Sequence, residues 1–500
     1  MSEFATSRGR VRGAPIMTPD GQAIAVLGIP TARVPDRFRP AVPPDPWRGV
    51  RESKQGPLAW QAAGPPAGLT MDEEGCLTAN VWLPGIPPVH PSPVLIWVHG
   101  GAHVAGSNAD PLCDGARLAA KYGVIVVAIA YRLGAFGHLR LDHLLGEEYA
   151  DAGNLALRDV VAGVAWVRDE IAGFGGDPRR ITVMGQSAGG AIVATLLAEC
   201  GGDGLFQRVI IGSATAERTH TLDQAAEVTT ELLSDLGGGA DPRAVLRAPP
   251  GVLIAAQQRV VSRWQLRRSG PATPFRPIVD GRFVHGRPVD RIAAGAGSSV
   301  DAIIGTVRNE ASAHVDLLRL DDREATSALR AALRDDGRDG DLDSYLAACR
   351  RDDGAPLTPA EALESYITDR EYRGPMLRLI EARLAARART YAYLFAWNRA
   401  DTGAWARRAG HSLELPFVFR HLEDSDQARE QVGAEAPIAL RDLMSAAWAT
   451  FAGSGRPDDD GECRWPMFQD ARETIVFDRI NRLANDPFAA RRRWLAKPPR

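Results

Sequence analysis

The chain alternates short continuous apolar runs with longer stretches in which apolar side chains recur every three or four residues. Runs of the first kind lie at Ile24–Ile29, Leu77–Leu83, Val94–Val98, Gly123–Tyr131, Ile181–Met184, Arg208–Gly212, Ala302–Gly305, Tyr391–Phe395 and Glu473–Phe477. They predict strands, and the uninterrupted ones are of the kind buried on both faces. Leu155–Ile171 carries Leu157, Val160, Val161, Val164, Val167 and Ile171 at helical spacing and ends at the glycine-rich stop Gly173–Pro178, which predicts a helix. Ala191–Glu199, 220–270, 311–385 and Ala436–Phe451 also read as helical. Strand, helix and strand in alternation predict an α/β fold with a mostly parallel sheet and helices on both faces. The first ninety residues are rich in proline and glycine and broken into short pieces, which suits antiparallel edge strands and irregular wrapping.

Composition narrows this picture without changing it. At 500 residues, 45% hydrophobic and 24% charged, the chain has ample length for a large core. A formal net charge of -3 gives no basic footprint for nucleic acid. Arg491–Arg493 reads as a solvated tail. The five cysteines are scattered, with no CxxC pair, which argues against a zinc site or a disulfide framework. No apolar run follows the N-terminus as in a signal peptide, and none reaches the ~18 residues of a spanning helix. A cytoplasmic enzyme is the expectation.

The candidate chemistry centres on Gly185-Gln186-Ser187-Ala188-Gly189-Gly190, placed between a predicted strand and a predicted helix. A sharp turn there strains its central residue and projects the side chain, and only small residues at 185 and 189 let strand and helix pass so closely. A serine at a helix start is also a common N-cap, so the motif alone leaves both readings open. A second feature is His99-Gly100-Gly101-Ala102-His103, where glycines at a strand's carboxyl end leave backbone N–H groups free to face an anion. A serine hydroxyl becomes a nucleophile only when an imidazole takes its proton and a carboxylate orients that imidazole. Glu310 and His411 fall on loops after predicted strands, in the chain order serine, acid, histidine.

At this point the chain resembles the type-B carboxylesterases, the family of bacterial p-nitrobenzyl and other carboxylesterases, cholinesterases and neuroligins. The resemblance rests on Phe174–Pro178 with Ile181, Thr182 and Gly185–Gly190, and extends to Asn80–Trp82, His99–Gly101, Asn154–Asp159, Pro277–Gly281, Gly305–Glu310, His411–Phe419 and Trp448–Pro457. It implies one α/β-hydrolase domain over residues 1–500, with a helical cap at about 311–385. It implies Ser187 as nucleophile, His411 as general base and acid, Glu310 as orienting acid, and the N–H groups of Gly101, Ala102 and Ala188 as oxyanion hole. The implied reaction is hydrolysis of a small-molecule carboxylic ester through an acyl-enzyme, with no metal or organic cofactor; the sequence does not fix the oligomeric state, and a monomer is favoured. Carbamates or aryl amides are an alternative substrate class, and a catalytically silent binding protein a further one.

Several positions depart from the family pattern. Asn309 and Ala311 flank Glu310 where relatives carry other residues, which implies an altered loop around an unchanged acid. His103 stands where an aromatic commonly lines the pocket, and reads as a wall residue or a substrate contact. Ala313, His314 and Phe417 are further pocket candidates, as are Trp264 and Phe419, for which core packing is the ordinary role. Ser213 reads as a turn serine or a residue bonded near the triad. His99 reads as a loop-fixing residue and His421 as a weak rival to His411. Cys76 occupies a half-cystine position whose partner position holds Ala59, so that bridge is expected to be absent. Arg37 and Glu74 match a structural ion pair.

Overall fold

The computed structural model describes residues 2–237, 241–267, 273–350, 354–399, 408–423, 426–433, 435–458 and 464–498. Eleven strands form its main sheet: β1 (Ala14–Thr18), β2 (Gly21–Pro30), β3 (Thr78–Pro84), β4 (Ser92–Val98), β5 (Ile125–Ile129), β6 (Gly176–Gln186), β7 (Arg208–Gly212), β8 (Asp301–Val307), β9 (Thr390–Phe395), β10 (Glu473–Phe477) and β11 (Arg482–Asn485). Their spatial order is β11-β10-β9-β8-β7-β6-β4-β5-β3-β2-β1. From β5 through β4 to β10 every pairing is parallel. The strands at both margins pair antiparallel.

Burial follows from this order. Val94, Ile96 and Val98 on β4 and Val127 and Ile129 on β5 are inaccessible to solvent, because parallel strands covered on both faces have no polar side to present. Each such side chain contributes roughly 1.5–3 kcal/mol of transfer free energy. Helices α1 (Leu155–Glu170), α2 (Ala188–Cys200), α3 (Leu222–Asp235), α4 (Pro250–Leu266), α5 (Asp322–Asp335), α6 (Pro359–Thr368), α7 (Gly374–Ala385) and α8 (Ile438–Ser454) include the sheet's cover. Thus α1, α2 and α7 pack in the core on one face, and α8 in the core on the other. Among the described residues no helix is long and apolar enough to cross a membrane.

Each predicted strand is present within a few residues of its expected bounds. The edge was less visible. A separate sheet of Glu3–Thr6, Gly9–Arg12 and Val50–Glu52 lies outside the main one, and β1 and β11 close the margins. Arg491–Arg493 is not a solvated tail but part of a helix, Ala489–Leu495. Arg491 is buried, 3.3 Å from Asp369 and 4.2 Å from the centre of the Phe488 ring. A buried carboxylate needing a counter-charge accounts for this placement. Arg37 pairs with Glu73, its Nε donating at 2.6 Å, and not with Glu74. Glu74 is exposed and reaches Arg33 at 3.8 Å, because the bend at this point turns consecutive side chains apart. Cys76 is a free buried thiol beside Ala59 in one small cavity, and Cys463 lies outside the described residues.

Candidate active site

Ser187 occupies the turn between β6 and α2 with φ 57° and ψ -124°, a region non-glycine residues enter only when their surroundings force them. The forcing is local. A Cβ at Gly185 would lie 2.4 Å from the Gly189 carbonyl oxygen, and one at Gly189 would lie 2.1 Å from that of Val98. The turn is pinned to the next strand by Ser187 N–H donating to Gly212 O at 2.9 Å. Ser187 is therefore displayed at the carboxyl edge of the sheet, as its spacing predicted.

Glu310 follows β8 and is 3% exposed. Its Oε1 accepts from Val307 N–H at 3.0 Å and its Oε2 lies 2.6 Å from His411 Nδ1. The loops carrying acid and imidazole are joined by backbone: Asn309 and Gly410 form an isolated parallel bridge, and Asn309 N–H donates to Ala409 O at 2.9 Å. Asn309 has its own side-chain partner, Glu364 at 2.8 Å, while Ala311 N–H donates to Thr368 Oγ1 at 3.0 Å. The residues that differ around Glu310 thus tie its loop to α6 and leave the carboxyl where the imidazole needs it.

Burial disfavours the His411 imidazolium, but the hydrogen bond and charge of Glu310 outweigh it and set the ring above its ordinary value. With Nδ1 donating to Glu310, Nε2 is the acceptor of the neutral ring. It faces Gln186 Nε2 at 3.3 Å, the residue preceding Ser187. Among the described hydrogen bonds none joins Ser187 Oγ to His411. Such bonds are often open before substrate arrives and close in the Michaelis complex.

Gly101, Ala102 and His103 all have positive φ, at 113°, 53° and 62°. Successive left-handed residues turn their amides inward, which makes an anion-binding concavity. Ala102, Ala188 and Ser187 line one cavity of about 80 Å³, with His103, Arg218 and Tyr372. His411 and Gln186 line another of about 520 Å³ with Gly100 and Gly101. The serine turn therefore touches both cavities, Ser187 lining the smaller and Gln186, with His411, the larger.

Other candidates fall into place individually. His103 is a buried wall residue of the small cavity, its Nδ1 without a partner among the described residues. Burial first, then His138, Arg276 and Arg218, hold it well below the usual imidazole range. Ser213 lines the same cavity, with Oγ buried and unpartnered. Ala313 and His314 lie on the short helix Ser312–Leu318. His314 is lowered by burial and by Arg370, which sets it towards the Arg370–Glu371 pair. Phe417 is not a pocket wall: it is fully buried between Phe395 and Trp397, 5.3 and 5.1 Å away centre to centre, because its helical turn presents it to the core. Phe419 packs on Trp97, and Trp264 on His220. His99 binds its own loop through Gly100 O at 2.9 Å and stacks on Tyr131. His421 faces Asp114 O at 2.8 Å.

Three residues escaped the sequence reading. Tyr372 lies in a single π-helical turn, Asp369–Arg373, between α6 and α7, with its ring 5.0 Å from that of His411. Such turns frequently mark functional sites. Arg218, after β7, reaches the Ser187 cavity with its guanidinium 5.3 Å from the Tyr372 ring centre. Glu414 is buried, with neither carboxyl oxygen partnered among the described residues. Burial, reinforced by Glu310, pushes it up to about 8. Its one sequence signal was an acid inside the apolar run Leu413–Phe417.

A model of the carboxylesterase family matches residues 2–487. The para-nitrobenzyl esterase of Bacillus subtilis is 33% identical over 98% of this chain and 97% of its own. Human cocaine esterase is 29% identical over 94% of this chain and 86% of its own. Among solved structures, a Geobacillus stearothermophilus carboxylesterase superposes with a TM-score of 0.84 at 30% identity, covering 99% of this chain and 100% of that one.

Proposed function

Since the chain belongs to the carboxylesterase family, we propose that Ser187, His411 and Glu310 are the nucleophile, the general base and the orienting acid of its reaction. The fold is the α/β-hydrolase fold, and the protein is a carboxylesterase, a serine hydrolase acting on carboxylic esters. The observation that carries the residue assignment is the 2.6 Å contact between His411 Nδ1 and Glu310 Oε2, which leaves Nε2 as an acceptor beside the serine turn.

In this reading Ser187 Oγ attacks the ester carbonyl as His411 Nε2 takes its proton. The carbonyl oxygen, now an anion, is held by the N–H groups of Gly101, Ala102 and Ala188, each worth roughly 3 kcal/mol in the transition state. His411 then returns the proton to the departing alcohol, so the alcohol lies on the imidazole side, in the larger cavity. The acyl group stays on Ser187 and extends into the smaller one. Water repeats the sequence and frees the acid. The substrate is a small-molecule ester.

The same reading takes residues 1–500 as one domain, with the helices of about 311–385 as a cap over the site, except α7, which packs in the core on one face of the sheet. It takes the enzyme as a monomer, and as cytoplasmic, the latter supported by the free, buried state of Cys76, Cys113, Cys200 and Cys349. The test is Ser187→Ala. Turnover of a p-nitrophenyl ester should fall on the order of 10⁵-fold with the melting temperature retained, since triad members act as a unit. Turnover near the parent level would remove Ser187 from the mechanism.

A further inference from the structure

We propose that the acyl side of this site recognises a carboxylate, and that short dicarboxylic half-esters are substrates for which Arg218 supplies the counter-charge. The inference rests on the assignment of Ser187 and His411 above, which places the alcohol in the larger cavity and the acyl chain in the smaller.

That smaller cavity has largely apolar walls, with Ala188, Ala191 and Ala214 among them, into which a few polar groups are set. Among its lining residues, Arg218 carries the one permanent charge. Ser213, Thr215 and Thr273 add hydroxyls, and His103 adds an imidazole. Two of these groups are buried polar atoms without a partner among the described residues, Ser213 Oγ and His103 Nδ1. An unmet buried polar atom costs about 1–3 kcal/mol; both belong to residues lining this cavity, whose guanidinium and hydroxyls favour an occupant able to bond them. An alkyl chain cannot do so. A carboxylate, with about four lone-pair directions, can.

Arg218 is held for this task. Its Nη2 donates to the Glu371 carbonyl oxygen at 2.6 Å and also meets the Glu371 carboxylate. The guanidinium lies 5.3 Å from the centre of the Tyr372 ring, itself 5.0 Å from His411. Both bonds to Glu371 come from Nη2, so Nη1 and Nε are not committed to that carboxylate. Glu371 also accepts from Arg370 Nε at 2.7 Å, with Arg370 reaching Asp336 at 3.5 Å as well. Glu371 therefore keeps a partner when Arg218 turns its remaining donors to a ligand. The other acid beside this residue, Glu217, is occupied by Arg378 at 2.6 and 2.8 Å. Arg218 and Arg276 both depress the His103 imidazolium, so positive potential extends to the wall beside the oxyanion donors. With a volume of about 80 Å³, the cavity suits a chain of a few carbons, as in a succinyl or glutaryl group.

The experiment compares two substrates that differ only at the end of the acyl chain: the 4-nitrobenzyl half-ester of glutaric acid and its neutral isostere, 4-nitrobenzyl glutaramate. Release of 4-nitrobenzyl alcohol by the full-length enzyme is followed at about pH 8, where the carboxylate is ionised. The carboxylate is expected to be preferred in kcat/KM by about tenfold or more, as for a charge-assisted bond formed out of bulk water. In Arg218→Gln that preference should fall at least about fivefold, and Arg218→Lys should retain most of it. Raising salt from about 0.05 to about 0.5 M should reduce the preference of the unaltered enzyme, which tests the charge should the glutamine variant fail to fold. A preference for the amide, or a ratio that neither Arg218→Gln nor salt alters, would overturn the inference. Should Ser187→Ala abolish release from the amide while the carboxylate is not preferred, the serine assignment stands and the Arg218 assignment falls. Release from both that survives Ser187→Ala would remove the assignment on which it rests.

Discussion

Gln186 Nε2 stands 3.3 Å from His411 Nε2, a contact that fits one tautomer of the imidazole. An amide N–H and an imidazole nitrogen can approach so closely only if the ring accepts, and it can accept at Nε2 because Nδ1 donates to Glu310 at 2.6 Å. The neutral ring that accepts at Nε2, next to the serine turn, is the form the proposed base requires.

Glu310 should therefore set both the rate and its pH dependence. Because Glu310 raises His411 above the ordinary imidazole value of 6.5, and only the neutral ring can take a proton, kcat/KM should fall as pH drops through that raised value. In Glu310→Gln the wrong tautomer is favoured, and kcat should decrease by roughly 10³–10⁴-fold. The acid limb of any residual activity should move to lower pH. A pH–rate profile of both proteins checks this, and an acid limb unmoved by the substitution contradicts it.

Glu414 should make the protein less stable as pH rises. Its native value is pushed up to about 8 from 4.5, so between these values the unfolded chain loses a proton that the native state retains. Stability is full below the lower value and declines up to the upper one. Glu414→Gln removes the titration, so its melting temperature relative to the parent should climb between about pH 5 and pH 8, by the equivalent of a few kcal/mol. Parallel melting curves across that range would show that the carboxyl ionises normally.

Gly189→Ala should disable the elbow without touching a reacting group. The added methyl would sit 2.1 Å from the Val98 carbonyl oxygen, and backbone cannot yield as a flexible side chain can. The expected result is a loss of turnover of at least about a hundredfold, since a displacement of about 1 Å at the nucleophile has that effect. Kinetics on the folded fraction measure it, and unchanged kcat would mean that the turn has slack.

How much of this was legible from the sequence depended on how local each cause is. The elbow could be read because the conflict that demands glycine at 185 and 189 arises within one turn. The strands were legible because burial on both faces writes an unbroken apolar run. The order serine, glutamate, histidine gave the pairing of Glu310 with His411, while its realisation depends on a bridge between Asn309 and Gly410, far apart in the chain. Tyr372 depends on one extra residue in a helical turn, which no periodicity announces. Arg218 and Arg491 carry charge inward beside partners distant in sequence, and Glu414 is a buried acid with neither oxygen partnered among the described residues. Patterns of exposed and buried residues assign such groups to solvent by default. The exchange of Glu73 for Glu74 is the same limit on a smaller scale, since adjacent acids look alike until the bend between them is known.

The most direct test of the central claim is to treat the enzyme with a fluorophosphonate and map the adduct by peptide mass spectrometry. A reagent of this kind reports the residue that attacks, independently of substrate preference. One adduct, on Ser187, formed at a rate that falls steeply in Glu310→Gln, is the result expected. An adduct on another serine, or none while esters are still hydrolysed, would contradict the account.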